Sequence, residues 1–165
     1  MTDLGLLRQF LGLEIEQNGK GIILSQPQYA SYLLKMFNMA ECKESTYLFL
    51  SGIKLYEFGN SPMVDITLYR KLVGSLLYLT HTRPDLSYVV STVEKHMYQA
   101  HNIHWNVAKI ILQYVQGSNK FGVHYKASSS FQPGGFFYLD WVGDPIDRKL
   151  TSGFVFMFVE GPIFW

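Results

Sequence analysis

The chain has 165 residues, 48% of them hydrophobic and 16% aromatic, with a formal net charge of +1 and one cysteine, Cys42. That much apolar material excludes disorder for the bulk of the chain, and the charge is low for a free-standing nucleic-acid binder. One cysteine excludes an intrachain disulfide framework and a cysteine-rich zinc site. No apolar run approaches the ~20 residues of a membrane span. The N-terminus lacks a basic region followed by an apolar run, so no signal peptide is expected. A reducing intracellular compartment, cytoplasmic or nuclear, fits these features.

Residues 10–16 (FLGLEIE) and 21–24 (GIIL) read as a β-hairpin, with Gln17-Asn18-Gly19-Lys20 as the turn. Ser25 then suits a helix N-cap, with Gln28 in the capping-box position. Tyr29, Tyr32, Leu33, Met36 and Phe37 predict the apolar face of a helix over 26–37. Residues 38–64 carry few helix or strand signals and read as a linker with a short apolar anchor at 47–50. A structureless stretch of that length points to a break between two lobes.

Residues 65–97 read as two helices joined by a tight corner. Tyr69, Leu72, Val73, Leu76, Leu77 and Thr80 recur at helical spacing, and Asp65 suits the N-cap. Gly74 costs about 1 kcal/mol relative to Ala in mid-helix, and such a Gly is expected to let another backbone approach. Pro84 suits the first turn of the second helix, whose buried stripe is Leu86, Val89, Val90 and Val93. A further helix is predicted over 103–116. Asn102 is its expected cap, Gly117 its stop, and Trp105, Ala108, Ile111, Leu112 and Val115 its core face. Strands follow at 121–125, 136–141 and 152–158, with another beginning at 162–165. The segment 143–149 (GDPIDRK) forms a polar connection between two of them.

The wording of the central helices adds a resemblance. Residues 69–80 (YRKLVGSLLYLT), followed at once by 82–88 (TRPDLSY), closely resemble the Pol polyprotein of copia-type retrotransposons. The matching segment there lies just after the reverse-transcriptase palm. His104-Trp105 and 111–117 (ILQYVQG) continue the match. Asp140-Trp141-Val142-Gly143-Asp144, Asp147-Arg148 and Thr151-Ser152-Gly153 resemble the opening strands of the family's RNase H domain. The resemblance runs over 1–165, and even the first residues look internal to a polyprotein, as if a gene model began at an internal methionine.

The resemblance implies an α+β fold in four segments. Residues 1–38 would end the palm, with a primer-grip-like hairpin and a helix. Phe10, Leu11, Gly12 and Leu13 would lie against the 3′ end of a growing strand, where Gly12 permits close approach. Residues 39–64 would be a linker and 65–126 a thumb- or connection-like helical bundle. Residues 135–165 would be the first strands of a truncated RNase H-like sheet.

The catalytic groups of that family are missing from the sequence. DNA synthesis needs paired aspartates that hold two metal ions, which the family carries in a Tyr-x-Asp-Asp turn upstream of the primer grip. No such turn occurs, and Asp3 is the only acidic residue before the hairpin. In the RNase H segment, the first family carboxylate falls at Tyr138, whose phenol titrates near ~10 and cannot replace a hard anionic ligand. The other acids would lie beyond Trp165. Intact members use Mg2+, whereas no cofactor is expected in this chain. Asp140, Asp144 and Asp147 read as a solvated acidic turn beside Arg148 and Lys149 rather than a metal site.

His101 and His104 have zinc-like spacing, but no nearby carboxylate or thiol completes a set, so they read as capping or surface histidines. Cys42 reads as a plain thiol. Arg70, Lys71, Lys109 and Lys120 are the candidate phosphate contacts. The sequence therefore reads as a fragment of a reverse transcriptase/RNase H, inactive alone and at most a weak binder of RNA/DNA primer–template duplex. The remainder of a Pol polyprotein would be its natural companion. The alternatives are a non-catalytic interaction module derived from a retroelement remnant, or a relic without function.

Overall fold

The computed structural model describes residues 5–48, 55, 60–127, 133–140, 151–158 and 160–165. Among these, four α-helices and two antiparallel sheets give a mixed α+β fold, the class expected. The chain gathers into two compact units, 25–121 and 1–24 with 122–165. These units regroup the expected segments, because the first helix packs with the later helices while the hairpin joins the final strands.

The helical unit holds α1 (Pro27–Met36), α2 (Ile66–Leu79), α3 (Ser87–Glu94) and α4 (Asn102–Gly117). Their apolar stripes meet in one core, in which Leu33, Leu72, Leu76, Val90, Val93, Ala108 and Leu112 lose all contact with water. Tyr69 is equally buried, and its hydroxyl donates to the Val93 carbonyl at 2.7 Å, tying α2 to α3. Burial raises the Tyr69 phenol well above its ordinary range, so it serves as a neutral donor. Asp65 caps α2 as expected, accepting from the Thr67 and Leu68 amides at 2.8 and 3.1 Å. Pro84 opens a 3₁₀ turn (Pro84–Leu86) that leads into α3, and Leu86, Val89, Val90 and Val93 are all buried.

Several local expectations are corrected. Ser25 does not cap α1. It ends a strand, and Gln26 holds the cap position without a side-chain capping bond. The Gln26 amide oxygen instead accepts from the buried Thr82 hydroxyl at 2.8 Å. The buried face of α1 is Ala30, Leu33 and Leu34, so Tyr32 turns outward, 59% exposed. Gly74 admits no neighbouring backbone, for a Cβ there would meet nothing within 4 Å. His101, not Asn102, holds the cap position of α4, and Gly117 is the last helical residue.

The stretch read as a linker does not separate two lobes, since 25–121 form one unit. Residues of it that the structure describes pack on the helices instead. The Ser45 amide donates to the Gln113 carbonyl (3.1 Å) and Gln116 Nε2 to the Ala40 carbonyl (2.8 Å), while Leu55 is buried in the core. Of the expected anchor, Leu48 packs on the core and Tyr47 is exposed. Positions 49 and 50 lie outside the described residues.

In the other unit, β1 (Gln9–Phe10), β2 (Leu13–Asn18), β3 (Gly21–Ser25) and β4 (Gly122–Lys126) form one sheet in that order. The strand expected over 10–16 is broken. Phe10 pairs with Leu13, and Leu11 and Gly12 both have positive φ (47° and 81°), as a type I′ turn requires. A second tight turn at Gly19-Lys20 leads into β3, with Asn18 Oδ1 accepting from the Lys20 amide at 2.8 Å. Only glycine fits at Gly21, where a Cβ would lie 2.1 Å from the Tyr125 carbonyl oxygen. The second sheet, β5 (Pro133–Asp140), β6 (Thr151–Phe158) and β7 (Gly161–Phe164), matches the last three strands expected. Tyr125 donates to the Pro162 carbonyl at 2.7 Å and so ties β4 to β7. The polar connection at 143–149 lies outside the described residues.

Candidate nucleic-acid interface

The corner between α2 and α3 carries the Thr82-Arg83-Pro84-Asp85 wording, and its chemistry is structural. Arg83 is 2% exposed, and its guanidinium is satisfied on every side. It grips Asp85 in two parallel bonds, Nε to Oδ1 at 2.9 Å and Nη2 to Oδ2 at 2.7 Å. It also donates to the carbonyl and hydroxyl oxygens of Ser118, both at 2.9 Å. The Tyr114 and Phe121 rings each lie 5.5 Å from its central carbon. The fork geometry of arginine suits this role, which the point charge of lysine would not fill. A guanidinium committed in this way is not free to meet a phosphate.

The two histidines of α4 form a latch. The His101 amide donates to His104 Nδ1 at 2.9 Å, which leaves the proton on His104 Nε2 to donate to the Leu55 carbonyl at 2.8 Å. His101 Nδ1 donates to the Ser61 carbonyl at 2.6 Å. His104 is fully buried rather than on the surface, and the His96 ring stacks on it at 3.9 Å. Both nitrogens of His104 are thus engaged with protein groups. Among the described residues no group of three His, Cys, Asp or Glu side chains is placed to hold a metal ion. Cys42 is half-buried, and desolvation raises its thiol above the ordinary range, which makes it a poorer nucleophile.

The four candidate phosphate contacts do not gather in one place. Arg70 is exposed, but its Nε donates to the Met97 carbonyl at 2.9 Å, which fastens the chain leaving α3. Lys71 is exposed on α2. Lys109 Nζ lies over the Trp105 ring, 5.7 Å from its centre. Lys120 lines a groove. In the sheet unit, Phe10 and Leu11 are 55% and 77% exposed at the hairpin tip, next to Gly12 and Leu13. Tyr138 is 66% exposed on β5, opposite Gly153. The side chains of Asp140, Asp144 and Asp147 lie outside the described ones.

The groove that holds Lys120 has a volume of about 450 Å3 and is open to solvent. It runs from the first turn of α1, at Pro27, to the turn after α4, and Gln28, Ser31, Tyr32, Lys35, Asn119 and Lys120 line it. Among the described residues two lysines and no carboxylate line it, and the positive end of the α1 dipole lies at its rim. The remaining lining supplies amides, hydroxyls and one aromatic ring. The spacing of Gln28, Ser31, Tyr32 and Lys35, at i, i+3, i+4 and i+7, is the stripe of one helix face. That spacing was the available signal, and assigning Tyr32 to the core hid it.

Comparison with known proteins gives consistent names. The chain is 35% identical over 159 residues to the retrovirus-related Pol polyprotein from transposon RE2 of Arabidopsis thaliana, covering 96% of this chain and 11% of that protein. It is 32% identical over 177 residues to the retrovirus-related Pol polyprotein from transposon TNT 1-94 of Nicotiana tabacum, covering 100% of this chain and 13% of that protein. A mitochondrial protein of Arabidopsis thaliana is 36% identical over 155 residues, 93% of this chain and 64% of that protein. The chain therefore spans only a small fraction of the polyproteins it matches. No family model matches it, and no solved structure matches it.

Proposed function

The chain belongs to the Pol polyproteins of copia-type retrotransposons, and from that premise we propose that it is a stretch that holds nucleic acid and does not itself join or cleave it. The observation that carries this reading is the groove on α1, where Lys35 and Lys120 stand together without an acidic neighbour in the lining. Phosphate contacts of this kind supply sequence-independent affinity.

The finer assignments belong to the same proposal. The hairpin of 10–16 with 21–24, which falls in β1, β2 and β3, is primer-grip-like, and the exposure of Phe10 and Leu11 beside Gly12 and Leu13 supports that role. The helical unit is thumb- or connection-like, and β5–β7 are the opening of an RNase H-like sheet. The absence of a Tyr-x-Asp-Asp turn from the sequence, and the phenol of Tyr138 at a carboxylate position, support a chain without transfer or nuclease chemistry of its own. The Mg2+ of intact relatives would then be held by residues outside this sequence.

The test is fluorescence anisotropy with a labelled RNA/DNA primer–template duplex. Binding in the micromolar range or weaker is expected, without sequence preference. With two lysines on phosphates, log K should fall with log salt at a slope of about −2, from roughly −0.9 per phosphate. Lys35→Gln and Lys120→Gln should each flatten that slope by about one. No salt-sensitive binding in dilute buffer would sink the reading. That outcome would favour an interaction module, for which the exposed Phe136, Phe137 and Phe164 of the second sheet are the supporting observation.

A further inference from the structure

The α1 groove contains more than positive charge. Tyr32 lines it as well, with a side chain that is 59% exposed. The Tyr29 ring lies 6.4 Å from the Tyr32 ring, and the Tyr29 hydroxyl donates to the Ser75 carbonyl at 3.2 Å. Tyr29 in turn meets the Tyr78 ring edge-on at 4.7 Å. Tyr32 is thus an exposed ring on α1 whose neighbouring ring, Tyr29, is fastened to α2.

We propose that this groove is a single-strand site that takes one unpaired nucleotide, with its base stacked on Tyr32 and its phosphates held by Lys35 and Lys120. The inference rests on the nucleic-acid reading above and adds a strand type to it. Three features carry it. The volume, about 450 Å3, falls in the ~300–1,000 Å3 range of sites for small ligands, enough for one nucleotide to enter, whereas a duplex can meet the two lysines only through phosphates at the rim. Every base has a π-face that an aromatic side chain can cover, but within a duplex that face is already covered by the neighbouring base pairs. A lone tyrosine flanked by cations therefore favours an unpaired base over a paired one. The polar lining, the Asn119 amide and the Ser31 hydroxyl, can meet the edge of any base without demanding one.

The experiment uses the whole chain and two labelled probes, a twelve-nucleotide oligo(dT) and a blunt duplex, followed by anisotropy at low salt. Wild type should bind the single strand more tightly than the duplex. Tyr32→Ala should weaken the single strand by about 5- to 100-fold, the range for loss of one base stack, and change duplex affinity by less than about twofold. Tyr32→Phe should retain single-strand binding, because it keeps the ring. As Tyr32 is largely exposed, a thermal melt of Tyr32→Ala should match wild type, which separates loss of the site from loss of the fold. Equal single-strand binding by wild type and Tyr32→Ala overturns the proposal. Binding of the duplex alone overturns it while leaving the broader reading intact. Binding of neither probe overturns both.

Discussion

His104 shows how a single residue can be placed by polar bonds inside an apolar core. Desolvation holds its imidazolium form below the ordinary histidine range, and His101 next to it adds to that effect. Protonation would also require Nδ1 to give up the bond it accepts from the His101 amide. The unfolded chain, with a histidine pKa near ~6.5, binds a proton that the folded chain refuses. The contribution of His104 is therefore complete above about pH 6.5 and is lost as pH falls from there toward its lowered folded value. Thermal melts from pH 8 to pH 5 should show the melting temperature falling below about pH 6.5, with a weaker fall in His104→Gln, which starts less stable. A wild-type melting temperature that is flat or rises across that window would contradict this. The histidine spacing in the sequence left capping and surface roles open. Complete burial was not legible, because it depends on Leu55 and Ser61 folding back over α4, and no local signal announces that. Arg83 and Asp85 stood in the sequence as a motif, but Ser118, the other partner of Arg83, lies 35 residues away along the chain and carries no pattern.

At the scale of single elements, α2 was legible in its Asp65 cap and in the buried Tyr69, Leu72, Val73 and Leu76, while its fifth buried residue is Leu79, where the expected face had Leu77 and Thr80. Gly74 also departs from its expected role. Its missing Cβ faces open space, so no packing compensates the backbone freedom that glycine loses on folding. Gly74→Ala should stabilise the protein by about 1 kcal/mol, because the helix gains propensity and meets no clash. Urea denaturation followed by circular dichroism measures this, and a destabilised variant would mean that a hidden neighbour occupies the site. Other elements were less legible for identifiable reasons. In α1, tyrosines at 29 and 32 satisfied a helical period, yet a tyrosine is at home on either side of a boundary, and the small Ala30 that marks the true core face carries little hydrophobic weight. In β1–β2, Leu11 adopts a positive φ that favours Gly or Asn, so Gly12 alone marked only half of the turn.

For the whole molecule, the two units differ in how well their apolar surface is covered. The helical unit buries Leu33, Leu34, Tyr69, Leu72, Leu76, Leu79, Leu86, Ile111 and Leu112 completely. The sheet of β5, β6 and β7 leaves Phe136, Phe137, Tyr138, Phe156, Ile163 and Phe164 between 50% and 70% exposed. Its aromatic contacts are local ones, such as Phe154 stacked on Phe164 at 5.2 Å. Sheet stability comes largely from a face packed against another layer, and a small sheet without one is marginal in water. Its backbone ladder, with eight paired positions between β5 and β6, is then held by hydrogen bonds that open easily to solvent. Strand positions were legible from alternation and turn residues, but the exposure of these rings was not, because alternation reports that a face is apolar and not whether anything lies on it. Native-state hydrogen exchange reads the difference directly. Amides of 153–158 should exchange by local opening, at rates well above those of 69–79 in α2, which should open only with the helical unit. Denaturant too dilute to unfold α2 should accelerate the sheet amides first. Equal protection of the two segments would show that β5–β7 open only with the rest of the protein, and the sheet would then have to be treated as belonging to one cooperative structure.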